Sequence, residues 1–501
     1  MADTKREIER KYESEGAGLP DLTGVAEVAT VLDRGTAELD ATYYDTADLR
    51  LAASSVTLRR RTGGSDAGWH LKFPVAPGVR DEIRAPLSDD VPAELAALVR
   101  SRVRHAPLLP QVRLRSRRDV RHLLDADGRL LAEASEDTVH AERLTGDHRR
   151  AHWTEIEIEL ADDGDPAFLD RLEKRLRKAG LHPSGSASKL ARALEEITPG
   201  KDPRRHAEPR PPVTAGDHVL AYVRAQRNTL VELDPAVRRD VEDSVHGMRV
   251  ATRRLRAAFR AYRKVLDRTV TDPIGAELKW LAEELGAGRD QEVLAAHLTT
   301  ALDDLPPALV TGPLRDRLHT WSAVRHEAAR RRLTDALDSE RHLALLDALD
   351  TLLADPPLRP AGTRAPKKVL TKAVRKELTR LTTLVDHALD LPPGPERDLA
   401  LHEARKAAKR TRYAAEAAAP ALGKRTERLI GSVKAVQTLL GDHHDSVMAR
   451  AALHDLAERA RAAGEDTFTY GLLYGREERR AERAERELPG LWAPVVRDTA
   501  L

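Results

Sequence analysis

The chain lacks cysteine, contains few aromatic residues and has no large excess of charge of either sign. Its 501 residues include no Cys, 3% Phe, Trp and Tyr, and 83 Lys and Arg against 81 Asp and Glu. Without thiols it can form no disulfide, no thiolate metal site and no cysteine nucleophile. Because the net charge is only +2, anion binding must come from local segregation of charge.

Long hydrophobic runs are also missing. No stretch approaches the roughly 18 to 20 apolar residues that a membrane-spanning helix needs. The first twelve residues are polar and charged, which is not typical of a secretory signal. We therefore expect a cytoplasmic protein that does not bind membranes.

Two proline-rich stretches divide the chain. Residues 1–198 carry short alternations of polar and apolar residues, whereas residues 217–495 are rich in Ala, Leu, Arg and Glu at helical spacing. Residues 199–216 between them predict a linker, and a second break at 355–366 separates helical segments at about 217–354 and 367–495. The sequence predicts an α+β multidomain protein, with a β-rich part followed by two helical bundles.

Several predicted strands of the N-terminal part carry charge on one face only. The acidic faces consist of Glu7, Glu9, Glu155, Glu157 and Glu159. The basic faces include Lys11, Arg59, Arg61, Lys72, Arg84, Arg113, Arg115 and Arg117. An ordinary antiparallel sheet with its charged face in water is one interpretation. Rows of carboxylates repel one another, however, and favour a barrel interior in which divalent cations and arginines offset that repulsion.

The basic strand around residue 115 has two possible registers. Strict alternation places Arg113, Arg115 and Arg117 inside, whereas a bulge would place Arg118 there instead. Alternation favours the first register.

The helical part contains an internal repeat of basic residues. His246, Arg249, Arg253 and Arg256 recur as His402, Arg405, Lys409 and Arg412, at an offset of 402 − 246 = 156 residues. Steps of three, four and three keep these side chains on one stripe of a helix. Further repeated pairs are Arg254 and Arg410, Lys279 and Lys434, Gly286 and Gly441, and Asp290 and Asp445. The repeat predicts two tandem copies of one helical unit, with Asp290 and Asp445 paired to stripe arginines.

Three alternatives compete with the binding of a phosphate ligand without bases by these stripes. The two histidines can be buried between helices, and the arginines can pair with acids of their own helix. Nucleic acid is the competing polyanion. It is disfavoured because aromatic residues for base stacking do not interleave with the basic helices.

Each half resembles a known family. Glu7-x-Glu9-x-Lys11 is followed in order by Leu58–Arg61, Lys72, Arg80-x-Glu82, the basic strand around Arg115–Arg118, Asp137, Glu155–Glu159 and Ser188-Lys189. This series resembles the CYTH domain of the triphosphate tunnel metalloenzyme superfamily, over roughly residues 5–198. The His/Arg repeat resembles the CHAD domain, a helical module implicated in binding inorganic polyphosphate, over residues 217–495.

The first resemblance implies an eight-stranded antiparallel β-barrel with flanking helices, whose lumen binds a triphosphate. It implies substrate binding by Lys11, Arg59, Arg61, Lys72, Arg84, Arg115, Arg117 and Lys189. It implies Mg²⁺ or Mn²⁺ held by Glu7, Glu9, Glu157 and Glu159, with Glu155 sharing that role. Catalysis would involve Glu9, Lys11 and Glu82, although Glu82 and Asp137 can equally serve to orient basic residues.

The second resemblance implies polyphosphate binding by residues of both copies. These are His246, Arg249, Arg253, Arg254, Arg256, Arg260, His402, Arg405, Lys406, Lys409, Arg410 and Arg412. The whole chain is thus expected to hydrolyse inorganic triphosphate or short polyphosphate and to bind longer polyphosphate. Two alternatives stay open, namely a non-catalytic polyphosphate-binding adaptor and adenylate cyclase chemistry on ATP.

Overall fold

The computed structural model describes residues 3–13, 18–146, 148–197, 211–286 and 288–497. The chain divides into two compact units, Met1–Pro209 and Arg210–Leu501. Most of the predicted linker, residues 199–210, lies outside the described residues. Its last residues begin the first helix of the second unit, where Thr214 and Asp217 form a reciprocal capping box.

The N-terminal unit is a closed antiparallel barrel. Its strands are β1 (Asp3–Glu13), β2 (Thr30–Asp45), β3 (Thr57–Thr62), β4 (Gly68–Ala76), β5 (Val79–Ala85), β6 (Leu109–Leu124), β7 (Leu130–Arg143), β8 (Arg150–Leu160) and the short β9 (His182–Pro183). The order β5-β4-β3-β2-β6-β7-β8-β1 closes through pairing of β1 with β5, and β9 adds to the end of β1. The predicted eight-stranded barrel is therefore confirmed.

Three helices pack against different surfaces of this barrel. They are α1 (Ala93–Val103), α2 (Ala167–Lys178) and α3 (Lys189–Ile197). The apolar outer face of β3, β4 and β5 packs against α1, and that of β1, β7 and β8 packs against α2. Helix α3 instead packs against Tyr43, Val112, Leu114 and Trp153, which point into the barrel. The lumen is therefore apolar at one end and charged along the rest.

The predicted register of β6 is wrong. Leu114 is buried inside the barrel, and Arg118, four residues later, shares its face. Arg115 and Arg117 lie on the outer face, where the side chain of Arg115 is 60% exposed. No bulge near these arginines is needed. The prediction failed because it assumed that apolar residues of this strand point outward, whereas α3 requires them inside.

The second unit is built from ten helices in its described residues. They are α4 (Ala215–Arg238), α5 (Ser244–Ala261), α6 (Arg268–Glu284), α7 (Arg289–Asp303), α8 (Leu314–Asp338), α9 (Glu340–Ala354), α10 (Pro366–Asp390), α11 (Pro395–Leu422), α12 (Lys424–Ala462) and α13 (Phe468–Arg497). One large core draws on both predicted copies, and a smaller core joins α7 and α8 to α12 and α13. No helix in the described part of the chain is long and apolar enough to span a bilayer.

The two copies correspond helix by helix, with two differences. Helices α4 and α5 match α10 and α11, and α8 matches α13. The single 39-residue helix α12 takes the place of α6 and α7, which are separate in the first copy. Helix α9 has no counterpart among the described helices of the second copy.

Candidate functional site

A cavity of about 650 Å³ fills the charged part of the barrel lumen. Strand alternation directs the predicted charged side chains of β1, β3, β4, β5 and β8 into it. The predicted residues that line it are Glu7, Glu9, Lys11, Arg59, Arg61, Lys72, Glu82, Arg84, Glu157, Glu159 and Lys189.

Carboxylates form a row across three neighbouring strands. Glu9 of β1 lies opposite Glu159 of β8, which in turn lies opposite Glu133 of β7. Like charges at directly opposed positions destabilise a sheet unless a cation lies between them. Burial, and then the nearby Glu82 and Glu159, raise the pKa of Glu7 despite the ion pair of this residue with Lys72 at 2.5 Å. Burial and the neighbouring carboxylates therefore both disfavour the charged form of Glu7, although Lys72 pairs with this residue and Lys5 lies 2.6 Å from Glu159.

Lys11 lies between two of the glutamates. Its ammonium is 3.2 Å from Glu9 and also pairs with Glu157. Burial alone would lower the pKa of Lys11, but Glu157 and Glu9 raise it. Burial alone would likewise raise the pKa of Glu9, but Lys11 lowers it. Both groups are therefore charged at neutral pH.

Lys189, the first residue of α3, fills a second acidic cluster. Its Nζ is 3.0 Å from Asp137, 2.8 Å from Glu155 and 2.6 Å from Glu157. The other oxygen of Glu155 accepts a hydrogen bond of 2.6 Å from Trp153 Nε1. These three carboxylates are close enough together to hold a metal ion, but the lysine ammonium already occupies the space between them. Glu155, predicted to share in metal binding, is therefore used to hold Lys189.

Glu82 is enclosed by basic partners. Its side chain pairs with Arg84 and lies 3.3 Å from Lys72, and Nδ1 of His70 is 2.8 Å from its Oε1. Burial alone would raise the pKa of Glu82, but His70, Lys72 and Arg59 lower it well below its usual range. A buried carboxylate with a low pKa and fully engaged oxygens is a poor base, so this geometry suits an orienting role.

Arginines form the wall opposite the acidic row. Arg59 donates a hydrogen bond of 3.2 Å to the hydroxyl of Tyr43, and Arg61 pairs with Asp66. Burial, followed by the proximity of Arg59 and Arg118, lowers the pKa of Arg61 to about 9. Guanidinium groups that lie this close together repel one another, and an anion between them would offset the repulsion.

Four lumen residues were missed or misplaced by sequence reasoning. Arg118 pairs with Asp137 and Glu157 at 2.7 and 2.8 Å, in the place predicted for Arg115 and Arg117. Arg80 was noted in the family motif but given no role, although its guanidinium lies in the lumen and donates to the carbonyl of Ala187. His70 and Glu133 line the same interior. In the sequence, both residues alternate with apolar residues that are buried, and this alternation could have placed them in the lumen.

The basic stripes of α5 and α11 meet in the helical unit. Burial, and then Arg405, Arg253 and Arg249, lower the pKa of Lys409 to about 7. Two stripes separated by about 156 residues in sequence therefore face a common surface. We call Arg249, Arg253, Arg405 and Lys409 the basic track.

The repeated glycines explain how the guanidinium groups fit. A Cβ at Gly286 would lie 3.0 Å from Arg249 Nη2, and one at Gly441 would lie 3.7 Å from Arg405. In the first copy the glycine lies in the turn after α6, beside Arg249. In the second copy it lies in α12, beside Arg405. The repeat of the glycines is visible in the sequence, whereas the close approach of the arginine side chains to them is visible only in the structure.

Other predicted residues of the helical unit lie beside the track or form ion pairs, either between helices or within α11. Arg254 pairs with Glu416 at 3.0 Å, Arg410 lies 3.7 Å from Glu377, and Lys406 pairs with Glu403. Arg412 lies 3.6 Å from Glu416 and stacks on Tyr413. Burial, followed by Arg260, lowers the pKa of Arg256.

The two repeated histidines lie in different surroundings. His246 is exposed, whereas His402 is partly buried, with its Nδ1 3.1 Å from Nδ1 of His444. Burial and His402 lower the pKa of His444 to about 4. The side chain of Asp290 lies outside the described residues, and burial raises the pKa of Asp445 although Arg405 opposes this.

Comparisons with known proteins agree with the division of the chain into a barrel unit and a helical unit. A CYTH domain model matches residues 5–194 and a CHAD domain model matches residues 221–454. The chain belongs to the proteins that join a CYTH domain to a CHAD domain. It is 41% identical to "Uncharacterized protein Rv2226" of Mycobacterium tuberculosis strain H37Rv, over 96% of this chain and 94% of that protein. A counterpart in strain CDC 1551, "Uncharacterized protein MT2285", matches to the same extent.

Similarities to solved structures are weaker. "PptA from Streptomyces chartreusis" is 23% identical, with a TM-score of 0.47, over 56% of this chain and 99% of that one. A structure described as "Putative adenylyl cyclase HpAC1 from Hippeastrum reveals a dominant triphophatase activity" is 20% identical, with a TM-score of 0.23, over 39% of this chain and 96% of that one. Scores this low carry no argument about function.

Proposed function

We propose that the barrel hydrolyses inorganic triphosphate, or the end of a short polyphosphate, with the help of a divalent metal ion. The observation that supports this most directly is the arrangement of the lumen. A row of carboxylates, Glu9, Glu159 and Glu133, lies in the same cavity as three crowded guanidinium groups. Such a cavity can bind a metal ion and a polyanion together.

The donor set fits a hard divalent cation. Glu7, Glu9 and Glu159 offer carboxylate oxygens, the ligands that Mg²⁺ and Mn²⁺ prefer. Burial, and then neighbouring carboxylates, raise the pKa of Glu7, and a divalent cation bound beside it would offset both effects. A metal ion bound there would polarise the phosphate and lower the pKa of a bound water molecule. Glu155 is left out of this set because it does not line the cavity and its two oxygens face Lys189 and Trp153. Glu157, also predicted as a metal ligand, is left out because Lys11, Arg118 and Lys189 all pair with it.

The basic residues of the lumen bind and orient the substrate. Arg59 and Arg61 can bind phosphate oxygens and stabilise charge on the leaving phosphate. Arg118 donates to Asp137 and Glu157 through Nε and Nη2 and can offer Nη1 to the substrate. Glu82 fixes Lys72 and Arg84, and Asp137 fixes Arg118. Among the described lumen residues no activated serine or cysteine is present, so we propose direct attack by water.

The helical unit is proposed to bind longer inorganic polyphosphate along the basic track. The surroundings of Lys409 support this, because burial and then Arg405, Arg253 and Arg249 lower its pKa to about 7. A chain of phosphates without bases would relieve the crowding of these cations. Binding here would hold long chains close to the molecule that hydrolyses their ends.

The test is phosphate release from inorganic triphosphate with added Mg²⁺ or Mn²⁺. The Glu7→Gln/Glu9→Gln variant should lose activity, whereas Glu38→Gln/Glu94→Gln, with exposed carboxylates of the same unit, should keep it. Activity should disappear with a chelator and return with metal. Retained triphosphate binding without any hydrolysis by the unmodified protein would favour an adaptor. Cyclic AMP formed from ATP, in place of free phosphate, would favour cyclase chemistry.

A further inference from the structure

A cavity of about 670 Å³ in the helical unit has two chemically different walls. One wall is basic and comes from the stripe of α5 together with α6 and α12. Its cations are Arg249, Arg253, Arg256, Lys279 and Arg459. Two of these arginines belong to the basic track, so phosphate bound to the track would extend into this cavity.

The other wall is apolar. Leu294 of α7, Trp321 of α8, and Met448 and Leu456 of α12 line it. Leu294 and Trp321 pack against the smaller core of the unit, which holds both side chains in place. Met448 is 46% exposed. An unsubstituted polyphosphate has no apolar part, so this wall would remain unused with that ligand.

Hydrogen-bonding groups also line the cavity. Glu283, Asp455 and Gln291 face the same space as the arginines. Glu283 lies 3.5 Å from Lys279 on the same helix, but Asp455 would repel phosphates and is unexpected in a cavity that serves polyphosphate alone. Carboxylate and amide groups are, however, suited to binding sugar hydroxyls and the polar edge of a base.

We propose that this cavity binds a nucleoside polyphosphate, with its phosphates on the arginines and its base against Trp321 and Met448. The proposal rests on polyphosphate binding by the basic track and adds an aromatic end group to the ligand. The cavity volume suits such a molecule. The aromatic residues of α5 and α11, Phe259 and Tyr413, are buried and cannot stack on a base. The fold supplies an aromatic ring from α8, and a single indole serves one base rather than a nucleic-acid strand.

The experiment uses the full chain with Arg59→Ala/Lys72→Ala, so that binding in the barrel lumen is removed. Calorimetry compares adenosine 5′-tetraphosphate with inorganic tetraphosphate at one salt concentration. The nucleotide should bind about tenfold more tightly because its base can stack on the indole ring. Trp321→Leu should abolish this preference and leave binding of inorganic tetraphosphate within about twofold. The control Trp280→Leu, an α6 residue packed against Arg341, should preserve it.

Equal affinity for the two ligands in the lumen-disabled chain would overturn the proposal. An equal loss of both ligands in a Trp321→Leu variant that melts at the same temperature as the unmodified protein would also overturn it, since the indole would then not act on the base. If that variant melts at a lower temperature, Met448→Ala, which changes an exposed residue of the same wall, takes its place with the same expectation. Long-chain polyphosphate provides the second readout. If the lumen-disabled chain binds long-chain polyphosphate but does not prefer the nucleotide over inorganic tetraphosphate, only this inference fails. If neither binds, polyphosphate binding by the track fails as well.

Discussion

At the residue scale, the position of a charged side chain on its strand decides its role. Arg118 faces the lumen and Arg117, its neighbour in sequence, faces outward. We expect Arg118→Ala to lower kcat/KM for triphosphate by about 10²-fold or more, because removing a donor that stabilises transition-state charge typically costs this much. Arg117→Ala should change it by less than about twofold. Phosphate release measured on both variants checks the prediction, and equal losses would contradict the register of β6.

Sequence alternation predicted most of the lumen correctly, but not this strand. Glu7, Glu9 and Glu157 alternate with residues that pack outside, so period two alone was sufficient. In β6 the inside of the barrel changes from apolar to charged along one strand. That change depends on α3, about seventy residues later in the chain, and no local pattern contains it.

Lys409 gives a prediction about pH. It is crowded by Arg249 and Arg253 of α5 and Arg405 of α11, and Asp445 of α12 is the opposing carboxylate. Polyphosphate should bind the protonated lysine more tightly, so affinity should fall as the pH rises above about 7, by at most about tenfold per pH unit. Lys409→Arg should flatten this dependence. Binding measured from pH 6 to 9 at constant salt checks it.

The same group should affect folding stability in the opposite direction. The pKa of Lys409 is about 7 when folded, against the usual 10.5. Between these values the unfolded chain binds more protons, so stability without ligand should rise with pH in that window. A pH dependence of melting that is identical in Lys409→Met and the unmodified protein would contradict the crowded environment.

At the scale of elements, the glycine pair distinguishes the two copies. Gly441 lies inside α12, where an added Cβ makes only ordinary contact, so Gly441→Ala should stabilise the fold by about 0.5–1 kcal/mol. At Gly286 the Cβ would crowd Arg249 at 3.0 Å, so Gly286→Ala should displace that guanidinium and weaken polyphosphate binding. Chemical denaturation and binding measurements check the pair. Weaker binding by Gly441→Ala alone would contradict the assignment.

The repeat in the sequence predicted both copies but not their differences. Offsets of 155 and 156 residues located the matching helices without any structure. The break between α6 and α7 falls where the first copy has Gly286 and Gly288, whereas α12 contains only Gly441 at this point. Two closely spaced glycines weaken a helix, which is a physical reason for the break. The extra helix α9 has no repeat signal and could not be located by comparing the copies.

At the scale of the whole molecule, the hydrophobic cores do not mix. Among the described residues, the three barrel clusters use only residues up to Ile197, and the two helical clusters begin at Ala215. A unit with its own core can fold by itself. The barrel fragment 1–197 should therefore retain triphosphate hydrolysis, which the phosphate-release assay measures directly.

The helical fragment 211–501 should likewise fold alone and bind long polyphosphate. Binding should weaken steeply with salt, because many phosphate contacts release counterions in the way known for nucleic acids. Replacing the four residues of the basic track with alanine should reduce affinity by at least about 10²-fold, since these cations converge on one surface. The control replaces four exposed arginines, Arg425, Arg479, Arg483 and Arg486, with the same change in net charge. Equal losses in both variants would mean that bulk charge alone attracts the polyanion. Tighter binding of duplex DNA than of polyphosphate at the same salt concentration would instead assign the helical unit to nucleic acid.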